Sequence, residues 1–200
     1  NSTDNTEKIC LKFKEDFPAV NFRYIVETNQ GLSYARNRGV QESNGDILVF
    51  VDDDATIFEK YLETIDVFFE QHRNILACGG PIVTVYETGK PKWISHFTNQ
   101  LIGGALDEGT ETKPFKNGKY PGGGNSAFRK EVFSKYGLFN VALGRKGNNL
   151  IGAEEKDLYD RLQKDRQPIY YLPQMGIYHY IPEKKITKSH FNELTYSIGK

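Results

Sequence analysis

The feature that most constrains this chain is a run of five apolar residues, Ile47–Val51, followed directly by Asp52, Asp53 and Asp54. A strand that is apolar throughout is covered on both faces, as in a parallel sheet flanked by helices. The ligand crevice of such sheets lies outside the carboxyl ends of the strands, which is where the three aspartates fall. We therefore predict an α/β protein with an acidic ligand site at this position.

The spacing of the aspartates favours one divalent cation. Alternate residues of an extended segment project to the same side, so Asp52 and Asp54 can converge on a cation while Asp53 points away. Oxygen ligands suit Mg²⁺ or Mn²⁺ bridging to a diphosphate. A lone aspartate would indicate only a turn, but three close carboxylates repel one another unless a cation is expected. Ile57 occupies the position of the required glycine of an EF-hand, which excludes that calcium loop.

Hydrophobic periodicity along the rest of the chain predicts alternating strands and helices. Strands are predicted over 22–28, 46–51, 75–86 and the late segments PIYYLP and GIYHYI; helices are predicted over 32–42, 58–73, 129–136 and 153–164. This alternation indicates one α/β domain over residues 1–200 with a parallel sheet. The irregular stretch 88–119 indicates a binding or lid role.

Composition excludes several classes of protein. Lys and Arg number 26 and Asp and Glu number 26, so no net field exists that would hold nucleic acid. Cys10 and Cys78 have neither the number nor the spacing of a disulfide framework or a zinc site. The longest apolar run is far short of the ~20 residues of a membrane span. We expect a cytoplasmic location, with any membrane association arising from regions outside this chain.

The turn NQGLSYARNRG carries Arg36, which can hold diphosphate oxygens or a nucleotide base; an exposed helical face is an equally good interpretation of the residue alone. The same turn approximates a nucleophile elbow around Ser33, with His179 as a downstream base. Ala35 replaces the final glycine of that pattern, and too little chain precedes Ser33 for a hydrolase.

A second acidic cluster, Glu154, Glu155 and Asp157, opens a helix. Acids in a first turn are favoured by the helix dipole alone, but one carboxylate can also act as the general base that takes a proton from an acceptor hydroxyl. His179 lies in the apolar segment GIYHYI, where it is either a structural histidine or a further metal ligand.

Taken together, NSTDNT, NQGLSYARNRG, VFVDDDA, GGGNSAFRKEVF and LGRKGNNLIGAEEKDLYDRL resemble family 2 glycosyltransferases over essentially the whole chain. The resemblance implies a GT-A-type, Rossmann-like fold with a mixed, mainly parallel sheet flanked by helices. It also implies an inverting transferase that moves a sugar from a UDP- or GDP-linked donor to a saccharide or lipid-linked acceptor.

The resemblance assigns roles by position. Asp52 and Asp54 match the metal-binding pair, with His179 as a further metal ligand and Asp53 near the ribose or sugar. Glu155 matches the usual base, with Glu154 and Asp157 as alternatives. The remaining positions are on the substrate side: Arg36, Asn37, Gly123, Gly124, Asn125 and Arg161.

One departure from the family pattern concerns the start of the chain, where the first strands and helix of the nucleotide pocket are absent. We expect a partial catalytic domain that binds donor poorly and can be inactive by itself. Two other classes remain open on the residues alone: a serine hydrolase using Ser33, and a non-catalytic carbohydrate-binding module using Trp93 and the aromatic residues of 86–120.

Overall fold

A computed structural model of the protein describes residues 2–116, 118–147 and 152–198, without the side chain of Ile198. The helices are α1 (Thr6–Asp16), α2 (Leu32–Glu42), α3 (Tyr61–Gln71), α4 (His96–Gly103), α5 (Glu131–Lys135), α6 (Glu154–Lys164) and α7 (Lys188–Ile198). The strands are β1 (Ile47–Val51), β2 (Ala55–Ile57), β3 (Ala77–Gly79), β4 (Ile82–Tyr86), β5 (Lys113–Pro114), β6 (Asn125–Arg129), β7 (Ile169–Tyr171) and β8 (Ile177–Ile181).

The larger sheet has five strands in the order β1-β6-β3-β7-β5. β1, β3 and β7 run in one direction, while β6 and β5 run in the other. The α/β architecture predicted from the sequence is confirmed as a mixed sheet. Neighbouring strands are nevertheless mostly antiparallel, because β6 inserts between β1 and β3.

The smaller sheet has three strands in the order β2-β8-β4 and places the C-terminal part of the chain beside the aspartates. β8 is antiparallel to β2 and parallel to β4, with His179 opposite Ala55. The backbone N–H of Tyr180 donates to the carbonyl of Asp54 at 2.9 Å. This pairing brings His179 to the end of β1 although the two lie far apart in the sequence.

Two buried clusters hold the helices against the larger sheet. α3 buries Tyr61, Ile65, Phe68 and Phe69 on one side, which confirms the periodicity seen in its sequence. α6 buries Leu158, Tyr159 and Leu162 on the other side of the core. Each fully buried side chain of this kind contributes about 1.5–3 kcal/mol. The anchored α6 fixes the position of the acidic residues in its first turn.

The structure departs from the predicted elements at two places. Residues 22–28 form no strand, since no described segment pairs with them. The segment 75–86 does form strands, β3 and β4, with the break that Gly79, Gly80 and Pro81 predict between them. The irregular stretch 88–119 contains α4. Ser95 caps the start of this helix by accepting from the N–H of Thr98, and Gly104, in the left-handed region at φ 65°, ends it. Within the described ranges, no helix is long and apolar enough to cross a membrane.

β1 has a hydrogen-bonded neighbour on one side only among the described strands. A groove of 640 Å³ runs along its open edge, between α2 and the segment that contains Asn21, Arg23 and Ile25. Exposed strand edges offer unpaired backbone groups to other chains. The expected absence of the family's first strands stays a prediction.

Candidate active site

A cavity of 280 Å³ lies at the carboxyl end of β1. It brings together acidic and basic side chains from five separate parts of the sequence: Arg36, Asp52, Asp54, Glu154, Glu155, His179 and Lys185. Gly123 and Gly124, from the loop before β6, complete one wall. The structure thus places a cavity where the sequence argument expects the ligand crevice, beyond the end of the apolar strand.

The carboxylate of Asp54 has a basic partner on each oxygen. Oδ1 lies 3.2 Å from Nε2 of His179, and Oδ2 accepts a hydrogen bond from Nζ of Lys185 at 3.1 Å. Burial raises the pKa of Asp54, but the hydrogen bond from Lys185 and the charge of His179 outweigh it, so the pKa is lowered overall. Asp54 is therefore an anion at neutral pH.

The tautomer of His179 is set by the backbone. Nδ1 lies 2.7 Å from the carbonyl oxygen of Gly103, which can only accept, so Nδ1 carries a proton and Nε2 is the nitrogen left to meet a ligand. A carbonyl that orients the second nitrogen is the usual support of a metal-ligating histidine. Nε2 is directed at Asp54.

The pair of Asp54 and His179 fits two positions on one divalent cation. Neighbouring ligands on an octahedral ion with bonds of about 2.1 Å lie about 3 Å apart, close to the observed 3.2 Å. One nitrogen and one oxygen ligand favour Mn²⁺ over Mg²⁺. In the described part of the chain, no three or more His, Cys, Asp or Glu side chains form a preformed metal cluster. The full set of Asp52, Asp54 and His179 is thus not assembled.

Asp52 instead faces the arginine side of the cavity. Its carboxylate is 3.9 Å from the guanidinium of Arg36, and its side chain is 47% exposed. A Cβ atom at Gly124 would lie 2.2 Å from Asp52, and one at Gly123 would lie 2.7 Å from Arg36. The two glycines therefore let the loop approach both charged groups. Asp53 is exposed at the turn after β1 and does not line the cavity.

Arg36 and Glu154 form a buried ion pair at 2.6 Å, with side chains only 8% and 3% exposed. Burial, followed by the charge of Glu155, raises the pKa of Glu154 to about 7, although Arg36 acts in the opposite direction. Glu154 Oε2 and Glu155 Oε2 are both buried and have no hydrogen-bond partner in the described structure. Two carboxylates thus present unsatisfied acceptors at the same cavity, where ligand hydroxyls can meet them.

The backbone before these acids adopts an uncommon conformation. Ala153, which directly precedes α6, has φ 76°, in the left-handed region that non-glycine residues seldom adopt. Strain of this kind persists only where the surrounding structure holds it. It sets the direction in which Glu154 and Glu155 leave the helix start.

Four residues assigned to the site have structural partners instead. Asn125 is fully buried, accepts from the Tyr61 hydroxyl at 2.8 Å and donates to the carbonyls of Pro81 and Met175. The amide of Asn37 exchanges two 2.9 Å hydrogen bonds with the backbone of Phe139. These hydrogen bonds hold the segments around the site together, and they use both N–H donors of Asn125.

The other two are Asp157 and Arg161, which pair with each other at 2.8 Å on α6. Arg161 also donates to the carbonyls of Tyr136, Gly137 and Leu138. Neither residue lines the cavity. The substrate-binding role expected for Arg161 and the base role considered for Asp157 are not supported by this geometry.

Two alternatives from the sequence lose their basis. Ser33 is buried and its hydroxyl donates to the carbonyl of Leu143 at 2.8 Å, whereas a nucleophile elbow exposes its hydroxyl. His179 contacts Asp54 and Gly103 instead. Trp93 is partly buried and packs edge-on against Phe191, with ring centroids 5.8 Å apart, beside a small buried cluster. Its ring therefore has a packing role in this part of the chain.

Sequence reasoning missed three basic residues that line the cavity: Arg145, Lys185 and His190. Burial lowers the pKa of His190, and the neighbouring charges of Lys185 and Arg145 lower it further against the opposing effect of Glu193. In the sequence, Arg145 belongs to the segment GRKGNN, and Lys185 and His190 follow His179; nothing else indicated that they line the cavity. Residues 148–151 of that loop lie outside the described residues.

Comparison with known proteins defines the class. The family model described as Glycosyl transferase family 2 matches residues 1–137. The chain belongs to this family.

Among its relatives, the chain is 26% identical over 179 residues to the glucosyl-dolichyl phosphate glucuronosyltransferase of Haloferax volcanii, covering 88% of this chain and 56% of that protein. It is 29% identical over 138 residues to an uncharacterised glycosyltransferase of Haemophilus influenzae, covering 68% and 44% of the two chains. The chain therefore spans about half the length of these relatives.

Solved structures share the fold. The mannosyltransferase PcManGT from Pyrobaculum calidifontis, in complex with GDP-Man and Mn²⁺, matches with a TM-score of 0.61 and 19% identity, covering 92% of this chain and 46% of that one. GalNAc-T7 with UDP, GalNAc and Mn²⁺ matches with a TM-score of 0.61 and 17% identity, covering 88% and 36%. These similarities confirm the glycosyltransferase fold expected from the sequence.

Proposed function

We propose that the protein is a glycosyltransferase that moves a sugar from a nucleoside-diphosphate donor to a hydroxyl of a saccharide or lipid-linked acceptor, with inversion at the anomeric carbon. One observation carries the proposal. A single cavity joins a pair of side chains suited to a cation, Asp54 and His179, to a pair of carboxylates with unsatisfied oxygens, Glu154 and Glu155.

Glu155 is the general base. Glu154 is held by Arg36 at 2.6 Å, whereas no cation contacts Glu155 among the described ion pairs. Glu155 takes the proton of the acceptor hydroxyl while that oxygen bonds to the anomeric carbon. The bond from the anomeric carbon to the donor diphosphate breaks, and its electron pair leaves with the phosphate oxygen. Attack on the face opposite the leaving group inverts the configuration.

Asp52, Asp54 and His179 are the residues that would hold the metal. When bound, Mg²⁺ or Mn²⁺ would neutralise charge on the leaving diphosphate. The combination of nitrogen and oxygen ligands favours Mn²⁺. Arg36 lies between Asp52 and Glu154 and offers its guanidinium to diphosphate oxygens. The nucleotides and Mn²⁺ bound by GalNAc-T7 and PcManGT support this donor class, with UDP and GDP as the two candidates.

The lipid-linked acceptor is supported by the dolichyl phosphate substrate in the name of the Haloferax volcanii relative. Such an acceptor is presented at a membrane surface. The proposed reaction therefore takes place at a membrane surface; the cytoplasmic side, and attachment through regions outside residues 1–200, remain expectations from the sequence.

Calorimetric titration of UDP and GDP into the protein, with and without Mn²⁺, tests the proposal. We expect Mn²⁺-dependent binding of one nucleotide that is lost in the Asp52→Ala/Asp54→Ala double variant. Asp66→Asn, an exposed substitution on α3, is the matched control. Metal-independent binding, or binding that survives in the double variant, contradicts the proposed site.

A further inference from the structure

Lys185 is the side chain that closes the acidic side of the cavity. It ends a short 3₁₀ turn, Glu183–Lys185, just after β8. Its ammonium donates to Oδ2 of Asp54 at 3.1 Å, and its side chain remains 26% exposed. A lysine that is only partly covered keeps the freedom of its four-carbon stem. Its head group can therefore leave Asp54 without disturbing the core.

The surroundings of Lys185 are suited to an anion. Arg145 and His190 line the same cavity, and the charges of Lys185 and Arg145 both act on His190. Asp54 is the one acid that Lys185 contacts among the described ion pairs. A second anion entering this side of the cavity would meet three basic groups.

A cation between Asp54 and His179 would change the balance around Lys185. The ion and the Lys185 ammonium would both carry positive charge and would repel each other in this partly buried site. The ion would also bind the Asp54 carboxylate, whose negative charge otherwise holds the ammonium. A diphosphate that arrives with the ion supplies new acceptor oxygens, and Lys is a frequent ligand of phosphate.

We propose that Lys185 binds the diphosphate of the donor, and that Asp54 holds the lysine in position until metal and donor enter. This inference rests on the proposed function. The ammonium moves from the Asp54 carboxylate to a phosphate oxygen, and no covalent bond changes. Lys185 thus neutralises Asp54 before metal and donor bind, and it binds the diphosphate of the sugar donor afterwards.

This exchange predicts effects of opposite sign on two ligands. Without nucleotide, Lys185→Ala should bind Mn²⁺ about threefold to tenfold more tightly, because a competing cation is removed. With Mn²⁺ at saturation, the same variant should bind the nucleoside diphosphate about tenfold more weakly, as expected for loss of one charge-assisted hydrogen bond. Affinity for the free nucleoside should not change.

Mn²⁺ titrations followed by electron paramagnetic resonance, and nucleotide titrations by calorimetry, measure the two effects. Lys184→Ala, at the exposed neighbouring position, is the matched control. Lys185→Arg should keep most of the nucleotide affinity. Thermal unfolding verifies that each variant is folded.

The outcomes separate this inference from the proposed function. If the unaltered protein binds diphosphate with Mn²⁺ but Lys185→Ala behaves like Lys184→Ala, the role of Lys185 is wrong and the proposed function stands. A loss of Mn²⁺ affinity in Lys185→Ala also contradicts the exchange. If the unaltered protein shows no Mn²⁺-dependent binding of UDP or GDP, both proposals fail.

Discussion

The guanidinium of Arg36 lies 2.6 Å from the carboxylate of Glu154, and both side chains are buried. The two residues belong to helices on opposite sides of the cavity. Since Arg36 also lies 3.9 Å from Asp52, it joins the metal side of the site to the base side. We therefore expect a substitution in one acidic cluster to change the electrostatic environment of the other.

Removal of Arg36 should destabilise the protein. Arg36→Met leaves a buried carboxylate without its partner, which typically costs about 3–5 kcal/mol in the free energy of unfolding. Urea denaturation at pH 8 measures the effect. The control, Arg38→Met, removes only an exposed pair with Glu42 and should cost less than about 1 kcal/mol. A double variant with Glu154→Gln should recover part of the loss, and equal costs for the two single arginine variants would contradict a stabilising role for the buried pair.

Glu155→Gln should abolish sugar transfer and leave nucleotide binding intact. An amide cannot accept the proton of the acceptor hydroxyl, so turnover should fall by about 10²–10⁴-fold. The measurement is release of nucleoside diphosphate in the presence of acceptor, beside calorimetric titration of the nucleotide. Asp160→Asn, which breaks a surface pair with Lys156 on the same helix, is the control. Full turnover in Glu155→Gln would move the base to Glu154.

The stability of the protein should depend on the ionisation of Glu154. Its pKa is raised from 4.5 to about 7 in the folded state, so the folded protein binds more protons than the unfolded chain between these values. The free energy of unfolding should therefore fall as pH rises from about 5 to 8, by on the order of 3 kcal/mol from this group. Unfolding titrations over this pH range compare the unaltered protein with Glu154→Gln. Loss of the Arg36 pair changes the stability of the variant by a constant amount, so the test is the slope of the free energy of unfolding against pH. Parallel pH profiles would contradict the prediction.

His179→Ala should weaken Mn²⁺ binding. Loss of one ligand or of its orientation commonly costs 10–100-fold in metal affinity. We expect this loss in Mn²⁺ titrations in the presence of nucleotide, while thermal unfolding should show a folded variant, because β8 keeps its backbone pairing with β2 and β4. His96→Ala, on the exposed start of α4, is the control for removal of an imidazole. Unchanged Mn²⁺ affinity in His179→Ala would show that the ring is structural.

Gly124→Ala should impair nucleotide binding more than folding. Its Cβ would lie 2.2 Å from the carboxylate of Asp52, and that half-exposed side chain can turn away into solvent. Asp52 would then be lost to the metal. Gly39→Ala, where no atom lies within 4 Å of the added carbon, should stabilise α2 by up to about 1 kcal/mol and leave binding unchanged. Nucleotide titration and urea denaturation of both variants make the comparison.

The sequence predicted the elements whose signals are local. α2 spans the 32–42 range that was expected, and the strand before the aspartates begins within one residue of its predicted start. The prediction of a strand over 22–28 was wrong because a strand needs a pairing partner, and the hydrophobicity of a segment does not show whether one is present. β6 was missed because NSAFR is short and polar at its start, and its place between two strands is decided by long-range pairing.

The site was predicted in part. The aspartates and the glutamates were recognisable because carboxylates cluster in the sequence. The contact between His179 and Asp54 depends on the register of β8 against β2, which no local pattern contains. Asn125 and Asn37 were assigned to the substrate side by resemblance, whereas in the structure their amides hydrogen-bond to the backbone of other segments, and Asn125 also accepts from Tyr61. Lys185 had no signal beyond its charge.

The insertion of β6 between β1 and β3 has a consequence for how the protein acquires its structure. β1 and β3 cannot be held in one sheet until residues 125–129 reach them, and the cavity also requires α6 and β8 from later in the chain. Contacts between distant segments slow folding because a long loop must close first. During synthesis, the aspartates emerge well before the glutamates and His179. Assembly of the cavity should therefore be a late event, and a nascent chain should gain affinity for metal and nucleotide only once its C-terminal third has been made.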